Sequence, residues 1–570
     1  MVCRSIATFR AISLILGCLV VPVSLLPVEA AILTYPGSPP CNSTLQACID
    51  GAGTGDTVEI GTNEAIEEHL DMTRSIVLKA AAGFKPVIGG QTGGIIRFRG
   101  PDGADNFFTF QGITVRDGNI DITHGSIGTL TVIVSDNDFL VFTGTQQSGI
   151  SVSDYCYNNT SARCGDLLFL VSNNRMTVPS SADQTEGISV SSTGSGHATG
   201  VIQNNDITMR GNHQGAAIDV YNGGTILSVD VSGNTVSGTN YNGGIVLFQT
   251  SAAASTTARI TNNLVTGQNG NVGNSGAIAV YGSSGELDVA VMNNTVAGNN
   301  DGISVDGRHD LGAVVRARVT NNIIVNSTRE GLSLDSDFVR TIDNRYNLVF
   351  GNKFDAYVPG LGTVTSDPLF VGNGNYRLRP DSPAVNKGLN TPVDGLPSTD
   401  LDGLSRIFGG TVDIGAYEYA VMTAPENQQY HTYAASASPV RSPAPAHARP
   451  LGIGSFAAGG SDIRLSVDVG PLSNPVDVYI AAAYLGIAAP PQPDIFILKP
   501  DNTFQNSSVG VVPWKTGITE AVEALTGNIP ITSLPSGFYR FYVAVTPVDS
   551  TSTYYIWETG FFIPFFIIIQ

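Results

Sequence analysis

Between roughly residues 130 and 350 the chain alternates short apolar runs with Asn-rich corners, and the same unit keeps returning. Arg318-Val319-Thr320-Asn321-Asn322-Ile323-Ile324-Val325 is one copy. Val201-Ile202-Gln203-Asn204-Asn205-Asp206-Ile207, Arg259-Ile260-Thr261-Asn262-Asn263-Leu264-Val265 and Val291-Met292-Asn293-Asn294-Thr295-Val296 are its relatives. Each predicts a short strand with period-two alternation, a corner, and a second short strand. Asn137, Asn174, Asn205, Asn234, Asn263, Asn294, Asn322 and Asn347 mark the corners, at spacings of 37, 31, 29, 29, 31, 28 and 25 residues.

A second marker supplies a third strand per period: Gly149-Ile150-Ser151-Val152, Gly187-Ile188-Ser189-Val190, Ala217-Ile218-Asp219-Val220, Gly244-Ile245-Val246-Leu247, Ala277-Ile278-Ala279-Val280, Gly302-Ile303-Ser304-Val305 and Gly331-Leu332-Ser333-Leu334. Three strands per period near 30 residues predict a right-handed parallel β-helix, whose coils bury their apolar faces by stacking. A propeller blade needs about 40 residues and four strands. Asn suits the bend because it tolerates the left-handed backbone, and stacked amides about 4.8 Å apart can form a ladder. The paired Asn are therefore assigned to structure, and they serve as a ruler for everything else.

The flanks follow the same logic. Asn42 to Ile49 predicts a short helix, with Ser43 and Gln46 at capping-box spacing, that covers the open end of the first coil. Strands are expected at Ser75–Leu78, Ile95–Phe98 and Phe108–Phe110. The Pro/Ala/Ser-rich residues 421–450 read as a linker after a β-helix spanning 31–420. Beyond it, half-buried strands at 463–469, 476–480, 495–498 and 538–545 predict a small β-sandwich-like domain over 451–570. The apolar run from Phe561 to Ile569 is too short to span a bilayer and reads as a final strand.

The segment Ser366-Asp367-Pro368-Leu369-Phe370-Val371, followed by Asn375-Tyr376-Arg377-Leu378, Ser382-Pro383-Ala384-Val385, Asp400-Leu401-Asp402-Gly403 and Val412-Asp413-Ile414-Gly415-Ala416-Tyr417-Glu418-Tyr419, resembles the choice-of-anchor Q module. That module closes many bacterial, secreted, pectate-lyase-like β-helix proteins, and the resemblance covers roughly residues 41 to 420. It implies a secreted or cell-surface location and little about activity. The Arg-rich stretch usual before the last motif is here reduced to Ser405-Arg406-Ile407.

Composition refines the picture. Charged residues make up 14% of the chain, Gly numbers 65, and the net charge is -19. Such acidity argues against nucleic acid, which needs clustered basic residues. It also disfavours acidic polymers unless a cation bridges them. Arg4 and Arg10, the apolar stretch Ala11 to Leu26, and Val28-Glu29-Ala30 predict an export signal over residues 1–30, with a lipoprotein cleavage before Cys18 as the alternative. Of the remaining cysteines, Cys41 with Cys48 and Cys156 with Cys164 read as two local disulfides of an oxidising compartment.

Stacking the marker strands aligns two outward rows. One holds Ser151, Ser189, Asp219, Val246, Ala279, Ser304 and Ser333; the other holds Ser153, Ser191, Tyr221, Phe248, Tyr281, Asp306 and Asp335. Tyr221, Phe248 and Tyr281, with Asp219, form a candidate carbohydrate platform, unless the variable loops cover the rings. Asp306 and Asp335 could divide acid and nucleophile roles, as paired carboxylates do in retaining glycosidases. Arg308 or His309 could act as a base in a β-elimination. Asp306, Asp335 and Asp337 could instead hold Ca²⁺, or form a solvated acidic patch. His213 is a weaker candidate of the same kind.

Known catalytic strings are missing. The polygalacturonase strings Asn-Thr-Asp, Gly-His-Gly and Arg-Ile-Lys do not occur, nor does the pectate lyase Trp-x-Asp-His, and both Trp residues, Trp514 and Trp557, lie near the C-terminus. The sequence thus favours a non-catalytic surface, adhesion or glycan-binding protein whose partner is a polysaccharide or cell-surface glycan. A polysaccharide lyase or glycoside hydrolase using the aromatic and aspartate face is the alternative.

Overall fold

The computed structural model describes residues 30–419 and 449–559, apart from 90–94, 102, 141–147, 156–164, 179–184, 195, 212–214, 240–241, 270–275, 308–312, 335–338, 357–358, 408–409, 455–461, 469–475, 485–494, 502, 519–526, 531–538 and 549–554. The export segment, Cys156, Cys164 and the apolar C-terminal run lie outside the described residues.

Three parallel sheets of 12, 11 and 11 strands form the β-helix. A typical coil gives Leu167–Ser172 to the first sheet, Arg175–Val178 to the second and Ile188–Ser192 to the third. The marker strands pair in the expected register, Ile150 to Ile188, Ile218, Ile245, Ile278, Ile303 and Leu332. Their inward Ile, Val and Leu side chains join one continuous core with Phe98, Phe108, Phe110, Val231 and Val319.

At the corner between the first and second sheets the two Asn of each pair divide the work. The first takes the left-handed backbone: φ is 54° at Asn173 and Asn204, 58° at Asn262, 52° at Asn293 and 58° at Asn321. The second builds the ladder. Each Nδ2 donates to the next Oδ1, from Asn137 to Asn174 (2.9 Å), Asn205 (3.0 Å), Asn234 (2.9 Å), Asn263 (3.0 Å), Asn294 (2.9 Å), Asn322 (3.0 Å) and Asn347 (3.0 Å). Each Oδ1 also accepts from the backbone N–H of the preceding ladder Asn, as Asn263 does from Asn234 at 2.9 Å. Where the first position is not Asn, Asp136 (φ 60°), Gly233 (φ 67°) or Tyr346 (φ 52°) makes the same bend.

The N-terminal helix is Leu45–Gly51, and its Leu45, Cys48 and Ile49 are buried. Its cap differs from expectation. Thr44, not Ser43, accepts from the Ala47 N–H at 3.0 Å. The carboxylate of Glu68, reaching in from the first coil, accepts from Leu45 and Gln46 at 2.9 and 2.8 Å. That leaves the Gln46 amide free to bind Asp50 and the Asp71 backbone instead. The Cys41–Cys48 disulfide ties this helix to the preceding turn.

After the last coil the chain folds back along the outside of the second sheet. Leu378, Ala384 and Ile414 pack on Ala297, Ile323, Val325 and Leu348. The left-handed Asn of three corners receive this segment: Asn262 donates to Thr399 O (2.6 Å), Asn293 to Asp413 O (3.3 Å), and Asn321 exchanges bonds with Leu389 (3.1 and 2.7 Å). At the centre lies Arg406, 1% exposed. It donates to Glu418 at 2.9 Å and to Asn262, joining tail to coil. The arginine of the Ser405-Arg406-Ile407 stretch thus ties the folded-back tail to the corners.

Towards the C-terminus, antiparallel pairing replaces parallel. One sheet contains Arg449–Gly454, Asp462–Asp468 and Gly527–Pro530. A second is built around Val476–Tyr484 and Tyr539–Pro547, with Ile495–Leu498, Phe504–Asn506, Lys515–Ile518 and Tyr555–Thr559. No helix among the described residues is long and apolar enough to cross a membrane.

Candidate functional site

The register places the expected rows on the outer face of the third sheet. Ser189 faces Asp219, and Ser191, Tyr221, Phe248, Tyr281 and Asp306 follow one another across successive strands. The prediction that these rows all face solvent is corrected. Val246 (8%), Ala279 (0%) and Tyr281 (6%) are buried, and they pack together with Ala216. Only Tyr221 and Phe248 keep partly exposed rings. Nor do the rings make a flat platform. Tyr221 and Phe248 lie 5.9 Å apart at 36°, while Phe248 and Tyr281 meet edge-on at 6.3 Å and 78°. Such edge-to-face contacts match the charge distribution of aromatic rings. The Tyr221 hydroxyl is fixed by Thr250 Oγ1 at 2.8 Å.

Next to the exposed rings sits Asp219. It is half-buried, in register with Ser189 and Val246 on the neighbouring strands. Burial, and then the nearby Glu186 charge, push its carboxyl up to about 8. No hydrogen bond among the described residues partners it. Glu186 is held in turn by Ser148 Oγ at 2.8 Å.

Glu186 and Ser148 were missed in the sequence, although a signal was there. They stand immediately before Gly187 and Gly149, in a row that continues as Ala216, Gly243, Gly276, Asp301 and Glu330. Its centre has no bulk and its flanks are acidic. Further along, Asp301 is also raised by burial, and Arg329 pairs with it at 3.5 Å.

The remaining candidates divide. Asp306 ends its strand in register with Tyr281, on the expected row. The register needed to bring it beside Asp335 holds as far as Val305 and Leu334. Asp335, Asp337, Arg308, His309 and His213 lie outside the described residues. Among the described residues no three His, Cys, Asp or Glu side chains gather closely enough to hold a metal ion.

Another polar row is inward and was not anticipated. His124, Asp154, Ser192, Asn222 and Gln249 occupy equivalent positions at the ends of successive third-sheet strands, and all are buried. Asn222 and Gln249 share Thr256 Oγ1, at 2.8 and 2.6 Å, and Ser192 meets Thr225 at 2.6 Å. Asp154 is different: neither carboxylate oxygen has a well-formed hydrogen bond. Burial pushes it up to about 7, opposed by the Gly194 backbone N–H and reinforced by the Asp166 charge. Burial also lowers His124, whose Nε2 lies 3.2 Å from Gly165 O.

No protein-family model matches the chain, so its resemblance to the anchor module rests on the short strings alone, and no curated protein matches it. Among solved structures, a PL6 family alginate lyase aligns over 69% of this chain and 59% of its own length, with a TM-score of 0.36 and 15% identity. The complex of XylC with xylose aligns over 60% and 86%, with a TM-score of 0.30 and 11% identity. A mannuronic acid specific polysaccharide family 6 lyase from human gut microbiota aligns over 60% and 92%, with a TM-score of 0.27 and 12% identity. The chain therefore spans about three fifths of the alginate lyase's length. These likenesses are loose, and the chemistry of this face stands on its own residues.

Proposed function

We propose that this β-helix protein engages a glycan on the outer face of its third sheet, at the patch that holds Asp219, Tyr221 and Phe248. One observation carries the reading: two partly exposed rings, 5.9 Å apart, share a strand face with Asp219, a carboxyl that no hydrogen bond among the described residues partners. Sugar-binding sites need an apolar face for the C–H side of a pyranose and a few fixed polar groups for its hydroxyls. The rings offer the first, while Asp219, Glu186 and the serine rows offer the second. Binding without cleavage is the preferred form, because the known catalytic strings are missing. An exported, surface-located protein fits the N-terminal pattern, the anchor-like tail and the Cys41–Cys48 disulfide.

One observation favours a second form, a polysaccharide-degrading enzyme. Asp219, pushed up to about 8 by burial and by the Glu186 charge, suits the role of a general acid. A glycan panel separates the readings. Wild-type protein is screened for binding, and for release of reducing ends or unsaturated products, with and without Ca²⁺. Binding without turnover that weakens at least tenfold in Tyr221→Ala supports the first. Turnover abolished by Asp219→Asn and Glu186→Gln supports the second, and absence of binding to any glycan refutes both.

A further inference from the structure

Resting on the reading of this face as a glycan site, we propose that its ligand is a neutral β-1,4-linked polymer of the glucan, mannan or xylan type, its ribbon running along the superhelix axis with Tyr155 as a further stacking residue. Backbone hydrogen bonds carry the third sheet one residue past its strands. The Tyr155 N–H donates to His124 O (2.8 Å), Thr193 to Asp154 O (3.1 Å), Gly223 to Ser192 O (2.8 Å) and Thr250 to Asn222 O (3.1 Å). Tyr155, Thr193, Gly223 and Thr250 thus make one more outward row, beside that of Ser153, Ser191, Tyr221 and Phe248. Tyr155 is 47% exposed, more than either ring already placed on this face.

The Tyr221 ring crosses into this new row. A Cβ at Gly223 would stand 3.0 Å from Tyr221 Cε1 and 3.2 Å from its hydroxyl oxygen, so only glycine leaves room for the ring. The hydroxyl then meets Thr250 Oγ1, in the same row, at 2.8 Å. The Tyr221 ring therefore stands in the row of Tyr155, with one coil, that of Ser191 and Thr193, between them. Two strand spacings are about 9.6 Å. In a β-1,4-linked chain each pyranose is turned over relative to the last, so alternate rings present the same face, close to two strand spacings apart. Aromatic side chains at that interval stack on every second sugar, while the small Ser191 and Thr193 admit the one between. An α-1,4-linked chain coils and leaves this line. Towards the C-terminus the face closes, since Tyr281 is 6% exposed and meets Phe248 edge-on. The open part thus covers four coils, from Tyr155 to Phe248, with about one sugar per coil. Its rows carry Glu186 and Asp219 and no Lys, Arg or His, so nothing there balances the carboxylates of a polyuronate.

The test is calorimetric titration with the β-1,4-linked tetramers and dimers of glucose, mannose and xylose, and with α-1,4-linked glucotetraose. Wild type, Tyr155→Ala, Tyr155→Phe and Tyr221→Ala are compared, with folding of each variant confirmed by circular dichroism. At least one β-1,4-linked tetramer should bind at least tenfold tighter than its own dimer and than the α-linked tetramer. Tyr155→Ala should bring that tetramer down to about the level of its dimer and leave the dimer unchanged, and Tyr155→Phe should keep the wild-type affinity. Tyr221→Ala should weaken tetramer and dimer alike. A tetramer held as tightly by Tyr155→Ala as by wild type, or equal binding of the α-linked chain, overturns the proposal and leaves the glycan reading standing. If none of these chains binds while another glycan in the panel does, the proposal fails alone; if nothing binds at all, both fail.

Discussion

Replacing Asp154 by asparagine should stabilise the protein at pH 8 and leave it unchanged at pH 4. The wild-type carboxyl is wholly buried and lacks a well-formed hydrogen bond. Its folded-state value of about 7 stands well above the ordinary 3.8. Below pH 4 the group is protonated whether the chain is folded or not, so it has no effect on the balance. Between pH 4 and 7 the unfolded chain releases the proton and the folded chain keeps it. Stability therefore falls as pH rises, by up to about 1.4 kcal/mol per pH unit, and levels off above the folded value. The total is on the order of 4 kcal/mol, an upper figure because a buried carboxylate relaxes its surroundings. Asparagine has nearly the same shape and no proton to lose, so its contribution does not change with pH. Other buried carboxyls, Asp400, Asp413 and Glu418, slope the same way in both proteins and cancel in the difference. Thermal denaturation followed by far-ultraviolet circular dichroism from pH 4 to 8.5 reads that difference. Curves that stay parallel, or a variant less stable than wild type at pH 8, would refute the reasoning.

Other expectations concern the tail and the ladder. Arg406→Met should destabilise the tail by about 3–5 kcal/mol, because Glu418 and Asn262 lose their buried partner. The loss should grow above pH 7, as Asp400 and Glu418, raised to about 7 and about 8 even beside the guanidinium, ionise without it; limited proteolysis between residues 384 and 419 reports it. Asn263→Ala removes the acceptor of the Asn234 N–H and Nδ2 and leaves Val231 O without its donor. A loss of about 2–4 kcal/mol is expected, measured by urea denaturation, with Asn263→Asp failing to rescue it for want of the Nδ2 donor. Gly194→Ala should be strongly destabilising, since a Cβ there would stand 2.5 Å from both Asp154 oxygens.

The fold was legible because a stacked coil must repeat its chemistry. A strand that errs by one residue turns its whole face outward, so the Ile of each marker string fixes the register of a coil. From that register the row Tyr221, Phe248, Tyr281, Asp306 could be written down before any coordinates. What could not be read was cover. Period-two alternation says that Ala279 and Tyr281 leave the core; it says nothing of what packs over them outside. The helix cap was misplaced for a similar reason, since Glu68 lies 23 residues from the N–H it satisfies. Asn262, Asn293 and Asn321 looked purely local, yet each also binds a tail segment more than 60 residues away. Glu186 went unnoticed because its row, two residues before each marker Ile, was not among those aligned. Short-range rules reach turns and registers, whereas partners brought together by the superhelix need the structure.

The central claim is that a glycan lies on the outer face of the third sheet at Asp219, Tyr221 and Phe248. Carbodiimide labelling of carboxyl groups, read by mass spectrometry with and without a bound glycan oligomer, tests it most directly. Glu186 and Asp219 should lose label when the oligomer is present, while Asp138 and Asp402, which pair with Arg175 and Arg377 elsewhere on the surface, keep theirs. Unchanged labelling at Glu186 and Asp219 under saturating oligomer, or protection confined to other carboxyls, would contradict the account.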